Sequence, residues 1–160
     1  MVMIYESENF IVESLDSPHI DRDDGGHIMI SPKIRLVDRQ QLSPKQAIEL
    51  MRLTIIVGQA MTTVMNEHGV DVGRINYMDC GNWGVFKPEG PFLHIHIYGR
   101  AKSAKTQKYG HALYFPYIEE NPEFYKNLKP LNKEDIKDIK TEIERLFKEE
   151  KFCDMEWKLS

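Results

Sequence analysis

Hydrophobic and polar residues recur along this chain with two different periods, which together predict an α+β fold. Short apolar runs between polar residues predict strands at 9–15, 27–30 and 74–78. A recurrence every three to four residues predicts one long helix that begins at Ser43 and ends before Gly69. A serine can cap the free amides of a first turn, and the proline after it tolerates the first helical position. We expect this helix to bury a broad apolar face.

A second helix is predicted near the end of the chain. Asn132 and Asp135 have the spacing of a capping box. Four aliphatic residues then follow at helical spacing: Ile136, Ile139, Ile143 and Leu146. The predicted fold is therefore an antiparallel sheet of about five strands, with one long central helix and a C-terminal helix packed on it. We assign residues 1–150 to one domain and residues 151–160 to a tail without a recognisable pattern.

Two features of the long helix have simple structural interpretations. The methionines at helical spacing, Met51, Met61 and Met65, are predicted to fill the core. His68 falls in the last turn, where a positive charge suits the helix dipole. We therefore assign none of these residues to a functional site.

The most informative stretch is a predicted strand at 92–98, where two classes of residue alternate. Since successive side chains of a strand point to opposite faces, one face is aliphatic: Leu93, Ile95 and Ile97. The other face carries two histidines between two aromatic residues: Phe92, His94, His96 and Tyr98. The aliphatic face is suited to the core. The face with the histidines requires another explanation.

Composition and charge limit the classes of function. The 160 residues are 41% hydrophobic and 29% charged, which is typical of one folded domain rather than a disordered chain. A formal net charge of −4 argues against a general nucleic-acid binder. The first residues lack the pattern of a signal peptide, and no apolar run reaches the ~20 residues that span a bilayer. We therefore expect a cytoplasmic protein with no membrane partner. Cys80 and Cys153 are expected to be reduced thiols.

One basic stretch stands out against the negative net charge. Residues 100–108 carry four cations and no acid, directly after the histidine strand. A small anionic ligand is therefore compatible with this acidic protein, although a solvated loop would have the same composition.

A His-x-His pair on one strand face has three interpretations. The two rings can face solvent, they can be metal ligands, or one can be a nucleophile and the other its helper. A zinc site needs three or four ligands, and His27 is the only obvious third candidate beside His94 and His96. Nucleophilic catalysis suits the neighbouring residues better. A neutral imidazole can attack phosphorus near pH 7, while a second histidine binds or protonates the phosphate.

Two sequence blocks resemble the histidine triad (HIT) superfamily of nucleotide hydrolases and transferases, whose signature is a strand of alternating histidines. Residues 25–32 are similar to its first block, a Gly-His followed by a hydrophobic strand and a proline. Residues 91–100 are similar to the signature itself, including the Gly-Arg that closes it. The resemblance covers about positions 10–100 and is far more specific than His-x-His alone. It implies the α+β fold of that superfamily and a homodimer.

The resemblance also implies roles for individual residues. With the flanking residues aligned, His94 takes the place of the nucleophile that attacks the α-phosphorus of a nucleotide, and His96 that of its catalytic partner. His27 is implied to bind the substrate, and Asn82 is a further candidate, for which an ordinary turn is the alternative. In the other register, His96 would be the nucleophile and Tyr98 would end the triad.

The implied reaction is cleavage at the α-phosphate of a dinucleoside polyphosphate or a nucleoside phosphoramidate, through a nucleotidyl-histidine. The implied partners are a small nucleotide substrate and a second copy of the chain, with no nucleic acid. No cofactor is required, and magnesium enters only as the counter-ion of the nucleotide. Phe92 departs from the signature, because it occupies the place of the first histidine. Two alternatives therefore stay open: a nucleotide-binding regulatory protein with weak or no turnover, and a metal-dependent hydrolase that uses His27, His94 and His96.

Overall fold

A computed structural model of the chain describes residues 1–159 and confirms the predicted α+β class. Five antiparallel strands form one sheet in the order β1-β2-β3-β5-β4. Their bounds are Val2–Glu6 (β1), Phe10–Ser14 (β2), His27–Pro32 (β3), Val72–Met78 (β4) and Ile95–Ala101 (β5). The helices are Pro44–Glu67 (α1), Pro122–Tyr125 (α2), Lys133–Leu146 (α3) and Asp154–Trp157 (α4).

The edge strand β1 has no counterpart among the strands that the sequence pattern predicts. It pairs antiparallel with β2, and the register shifts between Met3 and Tyr5. Only Ile4 of this strand is buried. A strand with a single buried residue lacks the alternation that identifies strands in a sequence, so its position is set by the partner strand.

The long helix α1 begins and ends where the sequence predicts. Ser43 and Gln46 form a reciprocal capping box at its start, and Gly69 just beyond its end has a φ of +82°. Met61 and Met65 are fully buried, as predicted. The prediction is wrong for Met51, which is 58% exposed. The core covers this part of the helix, since Leu50 and Leu53 are buried. Met51 is exposed because ten residues correspond to a rotation of about 80° around the helix, which places it on a different side from Met61.

The helix α3 packs beside α1, and a charged network joins their ends. The predicted capping box of Asn132 and Asp135 is present. The buried Asp135 carboxylate also accepts hydrogen bonds from Arg22, at 2.8 and 2.9 Å, and from the His68 ring at 2.7 Å. The segment after α3 belongs to the same core, because Phe152 is fully buried within it. Ser160, the last residue of the stretch assigned to a tail, lies outside the described residues.

The two faces of the sheet are covered by different parts of the chain. Ile95 and Ile97 of β5 belong to one core with the residues of α1 and α3. The opposite face, which carries His96 and Tyr98, is covered by the long connection from β5 to α3. Helix α1 is long and apolar enough to cross a membrane by length and composition, and 67% of its apolar window is buried inside the protein.

Candidate active site

The histidine strand faces a cavity of about 490 Å³. Four aromatic side chains contribute to its wall: Trp83, Phe92, Tyr98 and Phe115. Three polar side chains named by the sequence pattern and the resemblance also line it: Asn82, His94 and His96. An apolar wall with a few convergent polar groups is typical of a small-molecule site.

Two glycine contacts bring β3 and its leading turn against β5. Gly25 has a φ of +130°, which side chains rarely tolerate, and its backbone lies directly on that of Gly99. A Cβ atom at Gly25 would overlap the Gly99 carbonyl, and a Cβ atom at Gly99 would overlap Gly25 in return. This close approach places His27 beside the histidine strand, where it pairs with Tyr98 in the β3–β5 register.

The tautomer of the neutral His94 ring follows from one main-chain contact. Its Nδ1 atom lies 2.9 Å from the carbonyl oxygen of Phe92. A carbonyl only accepts hydrogen bonds, so the neutral ring carries its proton on Nδ1. The Nε2 atom of His94 therefore keeps a free lone pair, which is what a nucleophile requires.

Aromatic packing fixes the orientation of the His94 ring. The Phe92 ring lies on one side, with ring centroids 4.5 Å apart, and the His96 ring meets it edge-on at 4.6 Å. The Arg35 guanidinium lies over Phe92, at 5.4 Å from the ring centroid. The same guanidinium donates to the carbonyls of residues 89–91, which fixes the loop leading into the strand.

A chain of three hydrogen-bonded groups fixes the tautomers of the other two histidines. The backbone N–H of His19 donates to Nδ1 of His27 at 3.1 Å, so the proton of the neutral His27 ring is on Nε2. This Nε2–H donates to Nδ1 of His96 at 2.8 Å. The proton of His96 is consequently on Nε2. His96 therefore presents a donor at its outer nitrogen, while His94 presents a lone pair.

Burial keeps the rings of His19, His27 and His96 uncharged at neutral pH. Burial first, and the neighbouring His94 and His19 rings second, lower the pKa of His96 to about 3. Burial and the surrounding histidines lower the pKa of His27 well below its usual value, and burial with His94 lowers that of His19 to about 4. The chain of hydrogen bonds therefore acts through neutral imidazoles.

The structure separates the residues that reach the cavity from those behind it. His94, His96 and Asn82 line the cavity. His27 is only 1% exposed, and its ring contacts His96 from behind. The sequence pattern did not single out His19, whose ring lines the cavity and whose Nδ1 lies 2.9 Å from the Tyr98 hydroxyl. A lone histidine in an irregular loop gives no signal for such a position.

The connection after β5 supplies the outer wall of the cavity. The buried Asp24 carboxylate accepts hydrogen bonds from three successive backbone amides, those of residues 105–107, at 2.7–3.1 Å. The Gln107 side chain then bonds to both the N–H and the carbonyl of Tyr114. These contacts hold Phe115, the next residue, over the cavity. Nothing in the local sequence predicts them, because the partners lie 81–83 residues apart.

Ring nitrogens of three histidines also lie close enough to hold a metal ion. His19, His27 and His96 each offer one nitrogen, all within 4.8 Å of one another, and His94 is not part of this group. The hydrogen bonds oppose metal binding, because the His27 nitrogen that faces His96 carries a proton and has no lone pair to give. The residues present thus suit a relay of hydrogen bonds better than a three-histidine metal site.

Solved structures share this architecture, although no protein-family model and no curated protein matches the sequence. A histidine triad protein from Bradyrhizobium japonicum superposes with a TM-score of 0.61 at 14% identity, over 90% of this chain and 88% of that one. The chain has the histidine triad fold. A hypothetical histidine triad nucleotide-binding protein from Sulfolobus tokodaii superposes with a TM-score of 0.56 at 18% identity, over 91% and 85%. A Hit-like protein involved in cell-cycle regulation from Bartonella henselae superposes with a TM-score of 0.55 at 17% identity, over 88% of this chain and 86% of that one.

These structures confirm the fold that the resemblance of the two sequence blocks implies. Those blocks lie on β3 and at the start of β5, which are neighbours in the sheet. At sequence identities of 14–18%, these similarities establish the fold and not the activity. The chemistry that this chain can perform therefore depends on the groups that line its cavity.

Proposed function

We propose that this protein is a nucleotide hydrolase or nucleotidyl transferase that acts through a covalent nucleotidyl-histidine on His94. The observation that supports the proposal most directly is the bond between the His94 ring and the Phe92 carbonyl. It leaves Nε2 unprotonated in a cavity of about 490 Å³, beside an N–H donor on His96. A lone pair and a donor on adjacent rings match the two needs of phosphoryl chemistry, attack and charge stabilisation.

The first chemical step forms one bond and breaks another. Nε2 of His94 attacks the α-phosphorus, and the bond from phosphorus to the leaving group breaks with its electron pair going to that group. A phosphate leaving group departs as an anion and needs no proton. The Nε2–H of His96 donates to a non-bridging oxygen, where negative charge accumulates. The modified His94 ring becomes cationic, and the Phe92 carbonyl stabilises it through the Nδ1–H.

The second step restores the enzyme. A water oxygen adds to the phosphorus and its proton passes to solvent, while the bond from phosphorus to Nε2 breaks and returns its electron pair to the ring. The products are a nucleoside monophosphate and neutral His94. Behind the reacting rings, His27 is a positioning residue, because its Nε2–H holds the His96 tautomer that presents a donor to the phosphate.

The cavity also suits the rest of a nucleotide. Trp83 and Phe115 offer apolar surface for a base, and the Asn82 side chain adds a polar group to the wall. We further propose that the protein acts in the cytoplasm as a homodimer. It requires no cofactor, and magnesium accompanies the substrate phosphates only.

Covalent labelling tests this function. A dinucleoside polyphosphate labelled at the α-phosphate, quenched within the first turnover, should leave label on the wild-type protein. His94→Ala should leave none and should reduce turnover by about 10⁴-fold or more, since the nucleophile is lost. His68→Gln is the matched control, because that histidine contacts Asp135 and Asp138 rather than the cavity. If the wild type binds nucleotide without releasing product or becoming labelled, the protein is a binding module and the enzymatic proposal is wrong.

A further inference from the structure

A second cavity lies on the same face of the sheet as the histidines. Its volume is about 580 Å³, and it shares the side chains of Met78 and Leu113 with the histidine cavity. Arg74 and Arg100 line it from opposite positions of the β4–β5 pair. Arg100 is four residues beyond His96 on β5, which corresponds to ~13 Å along a strand. The two cavities therefore adjoin each other at Met78 and Leu113.

Within residues 1–159, no acidic side chain pairs with the charge of Arg100. This side chain is only 5% exposed, and the acceptors around its guanidinium are neutral: the Asn76 amide oxygen at 2.6 Å and the carbonyls of Lys108 and His111, both at 2.9 Å. Its Nε atom is buried and has no partner among residues 1–159. Buried charges in proteins are usually paired, because an unpaired one loses its hydration without compensation. This arginine consequently leaves an uncompensated positive charge at the cavity.

Arg74 adds a second free cation at the same place. It is exposed, and it forms no ion pair or side-chain hydrogen bond with the residues that the structure describes. None of the ten residues that line this cavity within 1–159 is acidic. Arg74 and Arg100 occupy paired positions of β4 and β5 and line one cavity, so their positive charges repel, and an anion bound in that cavity would offset the repulsion. In a chain of net charge −4, such a local excess of positive charge favours an anionic ligand.

We infer that the cavity at Arg74 and Arg100 is an anion subsite that binds the phosphates of an extended leaving group. The inference rests on the proposed function, because the group held here is the part of the substrate that departs when His94 attacks. A leaving group that reaches ~13 Å from His96 has to be a chain, and two arginines select one that carries phosphates. A nucleoside phosphoramidate with a small neutral leaving group would not reach the subsite.

Substitution of Arg74 tests the subsite, since this exposed side chain can be changed without disturbing the core. Arg74→Gln should raise KM for diadenosine tetraphosphate about tenfold, which is the size of one lost charge-assisted hydrogen bond at a partly exposed position. It should leave KM and kcat for adenosine phosphoramidate unchanged. Lys140→Gln removes an exposed cation of α3, away from the cavity, and should change neither substrate.

Binding of inorganic tripolyphosphate separates the subsite from the reaction. Calorimetry should show binding to the wild type and to Lys140→Gln, and about tenfold weaker binding to Arg74→Gln. If tripolyphosphate binds in this pattern but no nucleotide is cleaved, the subsite stands and the proposed function fails. If nucleotides are cleaved but Arg74→Gln affects both substrates equally, or neither, the subsite is refuted and the function stands. Absence of tripolyphosphate binding, or equal binding by Arg74→Gln, also refutes the subsite.

Discussion

Replacement of His27 by phenylalanine would remove the middle of the hydrogen-bond chain while keeping an aromatic ring of similar shape. Two hydrogen bonds end on this ring, one of 3.1 Å from the His19 amide and one of 2.8 Å to His96. The His19 N–H and the His96 Nδ1 would both lose their partner in a buried environment. Each orphaned group costs roughly 1–3 kcal/mol, so we expect a loss of about 3 kcal/mol in the free energy of unfolding. For a chain of this length, that corresponds to a fall in melting temperature of roughly 6–12 °C.

The same substitution should change the protonation of His96 and the rate of the proposed reaction. In the wild type at neutral pH, ring ¹⁵N shifts should show the proton on Nε2 in His27 and His96, and on Nδ1 in His94. In His27→Phe, the His96 ring should exchange between tautomers, while the His94 tautomer should be unchanged. Loss of a fixed donor should reduce turnover by ~10²-fold, as expected for a misplaced catalytic group.

A second variant separates loss of stability from loss of position. Met65→Ala removes a fully buried side chain from α1 and should cost about 3 kcal/mol as well. Calorimetry should find the two variants similarly destabilised, while only His27→Phe loses turnover. Two results would refute this reasoning: a ¹⁵N spectrum in which His96 carries its proton on Nδ1 in the wild type, or equal turnover in the two variants.

Three further substitutions test separate parts of the structure. Gly25→Ala should destabilise the protein by about 3 kcal/mol or more, because the new methyl group overlaps Gly99. Gly69 also has a positive φ but lies in open space, so Gly69→Ala should cost about 1 kcal/mol, and equal melting temperatures of the two variants would contradict this. The hydrogen bonds of His68 to Asp135 and Asp138 raise its pKa in the folded protein. The protonated ring therefore stabilises the folded state fully at pH values below about 6.5, and this stabilisation is lost as the pH rises through the folded-state pKa. Between pH 5 and 9, the free energy of unfolding should fall by about 1 kcal/mol more in the wild type than in His68→Gln, and an equal fall in both would contradict this. Asp24→Asn should weaken the hydrogen bonds to the backbone amides of residues 105–107, so these amides should exchange their hydrogens faster in the variant. Unchanged exchange rates would contradict this.

Parts of the fold that depend on local chemistry could be predicted from the sequence, and parts that depend on distant partners could not. The limits of α1 follow from the cap at Ser43 and the glycine after the last turn, and the structure has both. The alternation in residues 92–98 predicts which side chains share a face, and those of Phe92, His94, His96 and Tyr98 do line one cavity.

The unpredicted features all involve contacts between segments far apart in the chain. The outer wall of the cavity depends on Asp24, which reaches amides more than 80 residues away, and on irregular backbone that has no period to detect. The His19 ring enters the cavity because its own backbone amide is bound to His27. None of these depends on the identity of a neighbouring residue in sequence.

The resemblance implies a histidine at the position of Phe92, and the proposed chemistry at His94 does not require one, because the group that orients the His94 ring is not a side chain. The acceptor for the His94 Nδ1–H is the main-chain carbonyl of residue 92, which is the same atom whatever side chain that residue carries. The Phe92 ring has a packing role, since it lies tilted against the His94 ring and under the Arg35 guanidinium. A phenyl ring at this position cannot donate a proton, so a leaving group that needs one would depart slowly. A phosphate chain departs as an anion without a proton, and the free cations at Arg74 and Arg100 lie where such a chain would extend. The phenyl ring at position 92 and the two arginines, which form no ion pair within residues 1–159, therefore favour the same proposed substrate class.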